Sequence, residues 1–397
     1  MELDRSATSI DNVLQTRWPI HERELYFYLE AIESYKPDYR VSVAGRGEML
    51  LLGGYSYLSL NGHPKINEAT IQAIKKYGTG THGARLLAGT LDLHRRLESR
   101  ISAFKQTEAA VTFTSGYMAN VSTIAALVGR HDTVICDKLD HASIVDGCQL
   151  SNAKLVRFQH NDVGSLEKCL TSPDSSGRKL VVVDAVFSMD GDICNLPEIS
   201  RLCREHGAWL MVDEAHSIGV LGRTGHGIEE HFGLPSDCID IKMGTLSKAI
   251  PSTGGYIAGS HKLCEFLSHE SRAFIYSGAL TPPAAAAALA AFDVIEQEPE
   301  RVERLHDNIR YFAEQLTRAK ISFLESTTPI FPIICGEDYR AWRMAHHCHK
   351  HGIYVQAIPH PVVPKGSARL RASVNAGHKH SDLDYCVSVL REAREKA

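Results

Sequence analysis

Residues 210–220 read LMVDEAHSIGV. The apolar run AWLMV, residues 208–212, stops at the acid Asp213, and Glu214, Ala215 and His216 follow. A short apolar run bounded in this way is the mark of a strand buried on both faces, as strands of parallel sheets are. Runs of the same kind recur on either side: AAVTFTS, DTVICD and KLVVVDAVFS before it, CIDIKMGT and GGYIAGS after it. Between them lie amphipathic segments such as PKINEATIQAIKKY and LDLHRRLESRISAF, whose apolar residues fall at helical spacing. The alternation predicts an α/β domain with a largely parallel sheet covered by helices on both faces.

Working outward, residues 1–50 mix charge, aromatics and short apolar runs, and are read as an N-terminal arm closed by strand-like MLLLGGYSYLSL. Residues 51–290 form the large domain, and 291–397 a smaller C-terminal domain of α+β pattern. The stretch TPPAAAAALAAFDVIEQEPERVERLHDNIRYFAEQL predicts one or two long helices between them, with Pro282 and Pro283 near the start. In the C-terminal part, ISFLES, PIFPIICG and ARLRASV are expected as strands and HSDLDYCVSVLREAREK as the closing helix.

The chain has 397 residues, 44% of them hydrophobic, which is enough for a sizeable core. Its formal net charge is −4, so no overall basic field favours nucleic acid. The first twenty residues lack the apolar centre of a secretion signal, and no stretch of about 18 residues reads as a continuous apolar membrane span. The expectation is a cytoplasmic protein without a membrane span. Ten cysteines, from Cys136 to Cys386, include no CxxC pair and suit reduced thiols.

Three motifs mislead. DEAH at 213–216 also occurs in nucleic-acid motors, but those require a G-x-x-x-x-G-K-[ST] phosphate loop, and the dipeptide Gly-Lys occurs nowhere here. GTGTHG at 78–83 fits G-x-G-x-x-G, yet it follows a helical pattern instead of a strand, so the dinucleotide reading fails on context. His346, His347, Cys348, His349 and His351 form a His-rich tract; no partner at a usual spacing completes a zinc set, and a solvated helix surface with no metal is expected.

A coherent set of residues lies elsewhere. Lys248 follows a predicted strand, flanked by Thr245 and Ser247 and then by Gly254 and Gly255. Upstream, Ser115, Gly116 and Tyr117 end a strand and start a helix, whose free N–H groups make an anion site. A phosphate cradle, an amine nucleophile and an acid three residues before a histidine are together what pyridoxal phosphate requires. Its aldehyde condenses with a lysine, its phosphate takes a helix start and hydroxyls, and its pyridine nitrogen stays protonated beside a carboxylate, the place of Asp213. His216 is in reach of the phenolic oxygen. Taken singly, each residue reads as a solvated lysine, a capping serine or a core histidine; the combination does not.

The ordered blocks DKLDHASIVDG, VVVDAVFSMDGDICNLPEI, LMVDEAHSIGVLGRTGHG, GTLSKAIPSTGGYIAG and VPKGSARLRASVNAGH resemble those of the α-oxoamine synthases, from about residue 50 to the C-terminus. The resemblance implies the fold-type I, aspartate-aminotransferase-like architecture. It also implies condensation of an amino acid with an acyl thioester, with loss of thiol and carbon dioxide, to an α-amino ketone. Lys248 would be the Schiff-base lysine, His141 would stack on the pyridine ring, and Asp213 would pair with its nitrogen. Ser188 and His216 would lie near the phenolic oxygen, and Thr245, Ser247, Gly116 and Tyr117 near the phosphate. Ser277, in FIYSGALTPP, matches a position from which the neighbouring subunit touches the phosphate, implying a homodimer with shared sites. Arg371 matches the arginine that grips the amino-acid carboxylate, a task for a bidentate guanidinium; Arg369 is its close double.

The pattern departs at two places. Ser56 stands where the family usually carries a carboxylate-contacting asparagine, and Leu86 where the aminolevulinate branch has an asparagine for its succinyl group. An apolar residue there points to an uncharged acyl chain and a poor succinyl substrate. GT at 89–90 resembles the ligase and palmitoyltransferase branches, YVQAIPHPVVPKGSARLR the oxononanoate branch, and the carrier of the thioester, coenzyme A or a carrier protein, stays open. Alternatives are transamination, a non-decarboxylating glycine acetyltransferase, and an idle enzyme-like binding partner; the intact Lys248, Asp213 and His141 weigh against the last.

Overall fold

The computed structural model describes residues 27–36, 39–173 and 177–397. Most of the segment read as an N-terminal arm, residues 1–26, lies outside them. Three strands open the described chain, β1 (Ile32–Tyr35), β2 (Arg40–Val43) and β3 (Gly47–Leu51). Seven more build the main sheet: β4 (Ala109–Phe113), β5 (Thr133–Asp137), β6 (Lys154–Phe158), β7 (Lys179–Asp184), β8 (Trp209–Asp213), β9 (Ile241–Thr245) and β10 (Gly255–Gly259). Their order is β4-β10-β9-β8-β7-β5-β6. β10 is antiparallel to both β4 and β9, and every other pairing is parallel. Six strands therefore point the same way, and their carboxyl ends share one edge, where open α/β sheets place their ligands.

The double-sided burial read from the sequence has a direct counterpart. Along β7, Leu180 and Val182 belong to one core cluster while Val181 and Val183 belong to another; along β8, Met211 faces the first and Leu210 and Val212 the second. Period-two alternation thus feeds two cores, one under each layer of helices. Each fully buried aliphatic side chain stabilises by about 1.5–3 kcal/mol, so a continuous apolar run favours a central strand over an edge strand. KLVRF, at the sheet edge in β6, escaped the sequence reading because its alternation is weak and two of its five residues are exposed.

The helices Pro64–Tyr77 and Asp92–Phe104 occupy the predicted segments, the first with Pro64 at its first turn and Lys75 and Lys76 in its last. The alanine-rich stretch divides into helices Pro282–Gln297 and Glu300–Arg318, broken at Glu298 and Pro299. A three-stranded sheet, β11 (Ile330–Gly336), β14 (Ala368–Ser373) and β13 (Gln356–Ile358), forms the C-terminal part, closed by the helix His380–Lys396. The remaining strand, β12 (Ile353–Tyr354), pairs in parallel with β3.

Three local expectations are corrected. The strand in MLLLGGYSYLSL ends at Leu51, and Gly53 onward is turn; the segment leaves the sheet because residues 52–60 pack into the main core, with Leu52, Tyr57, Leu58 and Leu60 buried. ISFLES contributes only an isolated bridge between Phe323 and Ile333. The His-rich tract is not a solvated surface throughout: on the helix Asp338–Lys350, Ala341, Met344, Ala345 and Cys348 face the core at helical spacing, and His349 is buried with Nε2 2.8 Å from the Val355 carbonyl.

Candidate active site

The shared strand edge carries a cavity of about 250 Å³. At one end the chain leaves β4 and turns into the helix Gly116–Leu127, whose N-cap Ser115 accepts a hydrogen bond from the Met118 N–H at 3.1 Å. Gly255 of β10 packs so tightly here that an added Cβ would stand 2.6 Å from the Gly116 Cα, and one on Gly116 would reach to 3.2 Å of the Thr245 Oγ1. Bare backbone and free N–H groups are thus held beside the hydroxyls of Thr245 and Ser247, themselves 2.9 Å apart. This end suits an anion.

Asp213 closes the opposite wall at the end of β8, buried. Its Oδ2 accepts from Asn120 Nδ2 at 2.7 Å and its Oδ1 from the Ala215 N–H at 2.9 Å. The same Asn120 amide donates to Ser143 Oγ at 2.9 Å, while its Oδ1 is buried without a partner among the described residues. The carboxylate is therefore oriented on one side and leaves capacity on the cavity side.

Lys248 projects into the middle. Its Nζ lies 2.7 Å from His216 Nε2, and His216 Nδ1 lies 2.7 Å from the Tyr57 hydroxyl. Burial pushes the Lys248 amine down to about 8, against the pull of Asp213 and Asp184. Burial also drives His216 well below the ordinary histidine range, with the charges of Lys248 and Arg371 adding to the effect. A neutral imidazole beside a lysine that readily gives up its proton keeps the amine available as a nucleophile and base.

His141 caps the next helix, Ala142–Ser151, with Nδ1 2.8 Å from Ser143 Oγ, and its backbone N–H donates to Asp184 Oδ2 at 3.2 Å. Asp184 ends β7, and burial, with Asp213 and Asp140 nearby, raises it well above the usual carboxylate range. Ser188 and Tyr117 complete the wall. Arg371, on β14, donates from Nε to the Ser188 carbonyl at 2.7 Å, and its guanidinium lies 5.1 Å from the Tyr55 ring. Arg369 is committed elsewhere, to Asp190, the Met189 carbonyl and the Ser367 carbonyl. The geometry separates two arginines that the sequence leaves alike.

Ten of the sequence candidates line the cavity: Ser115, Gly116, Tyr117, His141, Ser188, Asp213, His216, Thr245, Ser247 and Lys248. Arg371 is joined to the lining residue Ser188 but, like Ser56, Leu86 and Ser277, is not among the lining residues itself. Ser56 Oγ is buried without a hydrogen-bond partner among the described residues, whereas Leu86 is 49% exposed. Sequence reading missed Tyr55, Tyr57, Asn120 and Asp184. The acid Asp184 had a visible signal, since it ends KLVVVD as Asp213 ends AWLMVD; Asn120 sits inside a helix and had none.

A model of the aminotransferase class I and II family matches residues 47–390. The chain belongs to that family. Within it, a curated relative, the 8-amino-7-oxononanoate synthase of Symbiobacterium thermophilum, is 43% identical over 92% of each chain. The enzyme of the same name from Geotalea daltonii is 44% identical over 90% of this chain and 91% of its own. Among solved structures, a serine palmitoyltransferase from S. paucimobilis with a bound PLP–myriocin aldimine superposes with a TM-score of 0.92 at 32% identity, covering 98% of each chain. These matches place the chain among the α-oxoamine synthases, with the fold-type I architecture. It is a pyridoxal-phosphate-dependent C-acyltransferase that condenses an amino acid with an acyl thioester with loss of carbon dioxide. The cavity fits that cofactor: an anion cradle that a Cβ would obstruct, a buried carboxylate, and an amine held near 8 between them. No described helix is long and apolar enough to cross a membrane.

Proposed function

We propose that the chain joins alanine to a seven-carbon dicarboxylic acyl thioester, giving 8-amino-7-oxononanoate. The observation that carries this reading is its close relation to synthases of that name over nearly the whole chain. Disconnecting the product between its oxo and amino carbons leaves alanine's α-carbon and methyl on one side and a seven-carbon acyl group ending in an acid on the other. The apolar Leu86 speaks to the methylene chain and not to its far end.

In the proposed mechanism Ser115, Gly116, Tyr117, Thr245 and Ser247 would hold the phosphate of the cofactor, and Asp213 would pair with its ring nitrogen. Asn120 orients Asp213. His141 would lie against one face of the ring, and Ser188 and His216 near its phenolic oxygen. When bound, pyridoxal phosphate supplies a sink for the electron pair left as the α-proton departs. Lys248 takes that proton, because an amine near 8 is partly unprotonated at neutral pH. Arg371 grips the amino-acid carboxylate; Ser56 lies between Tyr55, whose ring is 5.1 Å from the guanidinium, and Tyr57, whose hydroxyl accepts from Arg371 at 3.4 Å. The α-carbon would bond to the acyl carbon as the thiolate leaves and takes up a proton, and the carboxyl group would depart as carbon dioxide, a second proton replacing it on the α-carbon.

The assembly is proposed as a cytoplasmic homodimer, with Ser277 of each subunit reaching the other's phosphate site. In support, Ala84 bridges Gly278, so the two segments that carry the exposed Leu86 and Leu87 and the exposed Tyr276 are joined. Such grouped apolar side chains suit a subunit interface. The division into an arm, a large domain to about 290 and a smaller C-terminal domain is likewise proposed.

Thiol release is to be measured with glycine, alanine and serine, each against seven-carbon dicarboxylic, succinyl and long saturated thioesters on coenzyme A and on a carrier protein. Alanine with the seven-carbon thioester is expected to be fastest. Robust turnover of glycine with the succinyl thioester would overturn the reading.

A further inference from the structure

The His-rich helix Asp338–Lys350 and the closing helix His380–Lys396 meet at a cluster that the reaction does not use. His347 and the C-cap residue His351 stand four residues apart and so share a face, with ring centroids 4.2 Å apart. Glu392, 41 residues after His351 in sequence, comes from the other helix and lies with its Oε2 3.8 Å from His347 Nε2. One donor atom from each of the three residues lies within 4.8 Å of the others.

Two features distinguish the cluster from a surface ion pair. His347 Nε2 is buried and has no hydrogen-bond partner among the described residues. His351 Nδ1 lies 2.8 Å from the His347 carbonyl, which can only accept, so Nδ1 carries the hydrogen and Nε2 keeps its lone pair. The frame is tied on both sides: Tyr385 donates to the His351 carbonyl at 2.9 Å, and Arg343 to the Lys396 carbonyl at 2.7 Å. Lys396 Nζ, 3.4 Å from Glu392 Oε2, is the competing cation, and its side chain is 61% exposed and free to swing away.

We propose that His347, His351 and Glu392 bind one divalent transition-metal ion of the zinc type, which clamps the C-terminal helix onto the His-rich helix. Two imidazoles and a carboxylate are a zinc-like donor set, with a fourth position for water. Donors in a tetrahedral zinc site stand about 3.3 Å apart, so modest side-chain rotations close the cluster. None of the three residues lines the cavity, so the clamp acts on stability and not on the chemistry.

The test uses the full-length holoenzyme after chelator treatment, titrated with zinc by calorimetry and with cobalt by visible absorption. One metal per chain is expected to bind with Kd at or below about 10 µM, with a melting temperature that rises with zinc. His347→Gln and Glu392→Gln should each weaken binding by about tenfold or more while cofactor absorbance and thiol release stay unchanged. Absence of binding at about 100 µM zinc, or stoichiometric binding that neither substitution alters, would refute the site. If one variant fails to retain the cofactor absorbance that reports its fold, the other decides.

Discussion

At the scale of single residues, the site rests on a lysine made reactive by burial. In the cofactor-free chain, pH-dependent labelling of Lys248 by an amine-selective reagent, followed by mass spectrometry, should give a midpoint of about 8. An ordinary lysine titrates near 10.4. The sign is fixed by the cause: burial disfavours the charged form, so the free amine accumulates as pH rises past 8 instead of two units later. A midpoint above 10 would remove the explanation for its readiness to act as a base. Arg371→Lys should raise KM for the amino acid about tenfold to a hundredfold, as expected for one charge-assisted hydrogen bond at about 1.5–3 kcal/mol, with a smaller change in kcat. An unchanged KM would move carboxylate recognition to another group. Most of this site was legible because its members sit at strand ends, where a polar letter after an apolar run stands out. Asn120, Tyr55 and Tyr57 were not, since a polar residue within a helix and two aromatics in a turn gain meaning only from what they touch.

At the scale of elements, the second letter of DEAH has a structural task. Glu214 is fully buried and pairs with Lys105 Nζ at 2.7 Å. It also accepts from Ser217 Oγ and from the Ile228 N–H. Lys105 reaches Glu229 as well, and Glu229 pairs with Lys242 of β9 at 2.8 Å. Two lysines and two glutamates thus join the helix Asp92–Phe104, the turn after β8 and β9 behind the cavity. Lys105→Met should lower the unfolding free energy by about 3–5 kcal/mol, because it strands buried carboxylates, and denaturant titration of the holoenzyme measures it. A loss below about 1 kcal/mol would mean that water or a rearrangement takes over the lysine's role. None of this network follows a spacing rule, so the sequence pattern could not reveal it. The strands were legible from their continuous apolar runs, whereas β12, two residues long, exists through its pairing with β3.

At the scale of the whole molecule, light scattering should give a mass near twice the 43.8 kDa of the chain. Ser277→Ala should weaken retention of pyridoxal phosphate by about tenfold, the loss of one hydrogen bond to a charged group, although Ser277 does not line the cavity of its own chain. A monomer, or a variant with unaltered retention, would contradict the shared site. Decarboxylation separates this chemistry from transamination, its nearest rival on the same fold. The most direct test supplies the holoenzyme with the seven-carbon thioester and alanine labelled in its carboxyl carbon, and follows the label by mass spectrometry. The account predicts label in carbon dioxide, an unlabelled amino-ketone product and one thiol released per turnover. Label retained in the condensed product, or pyruvate formed without thiol release, would contradict it.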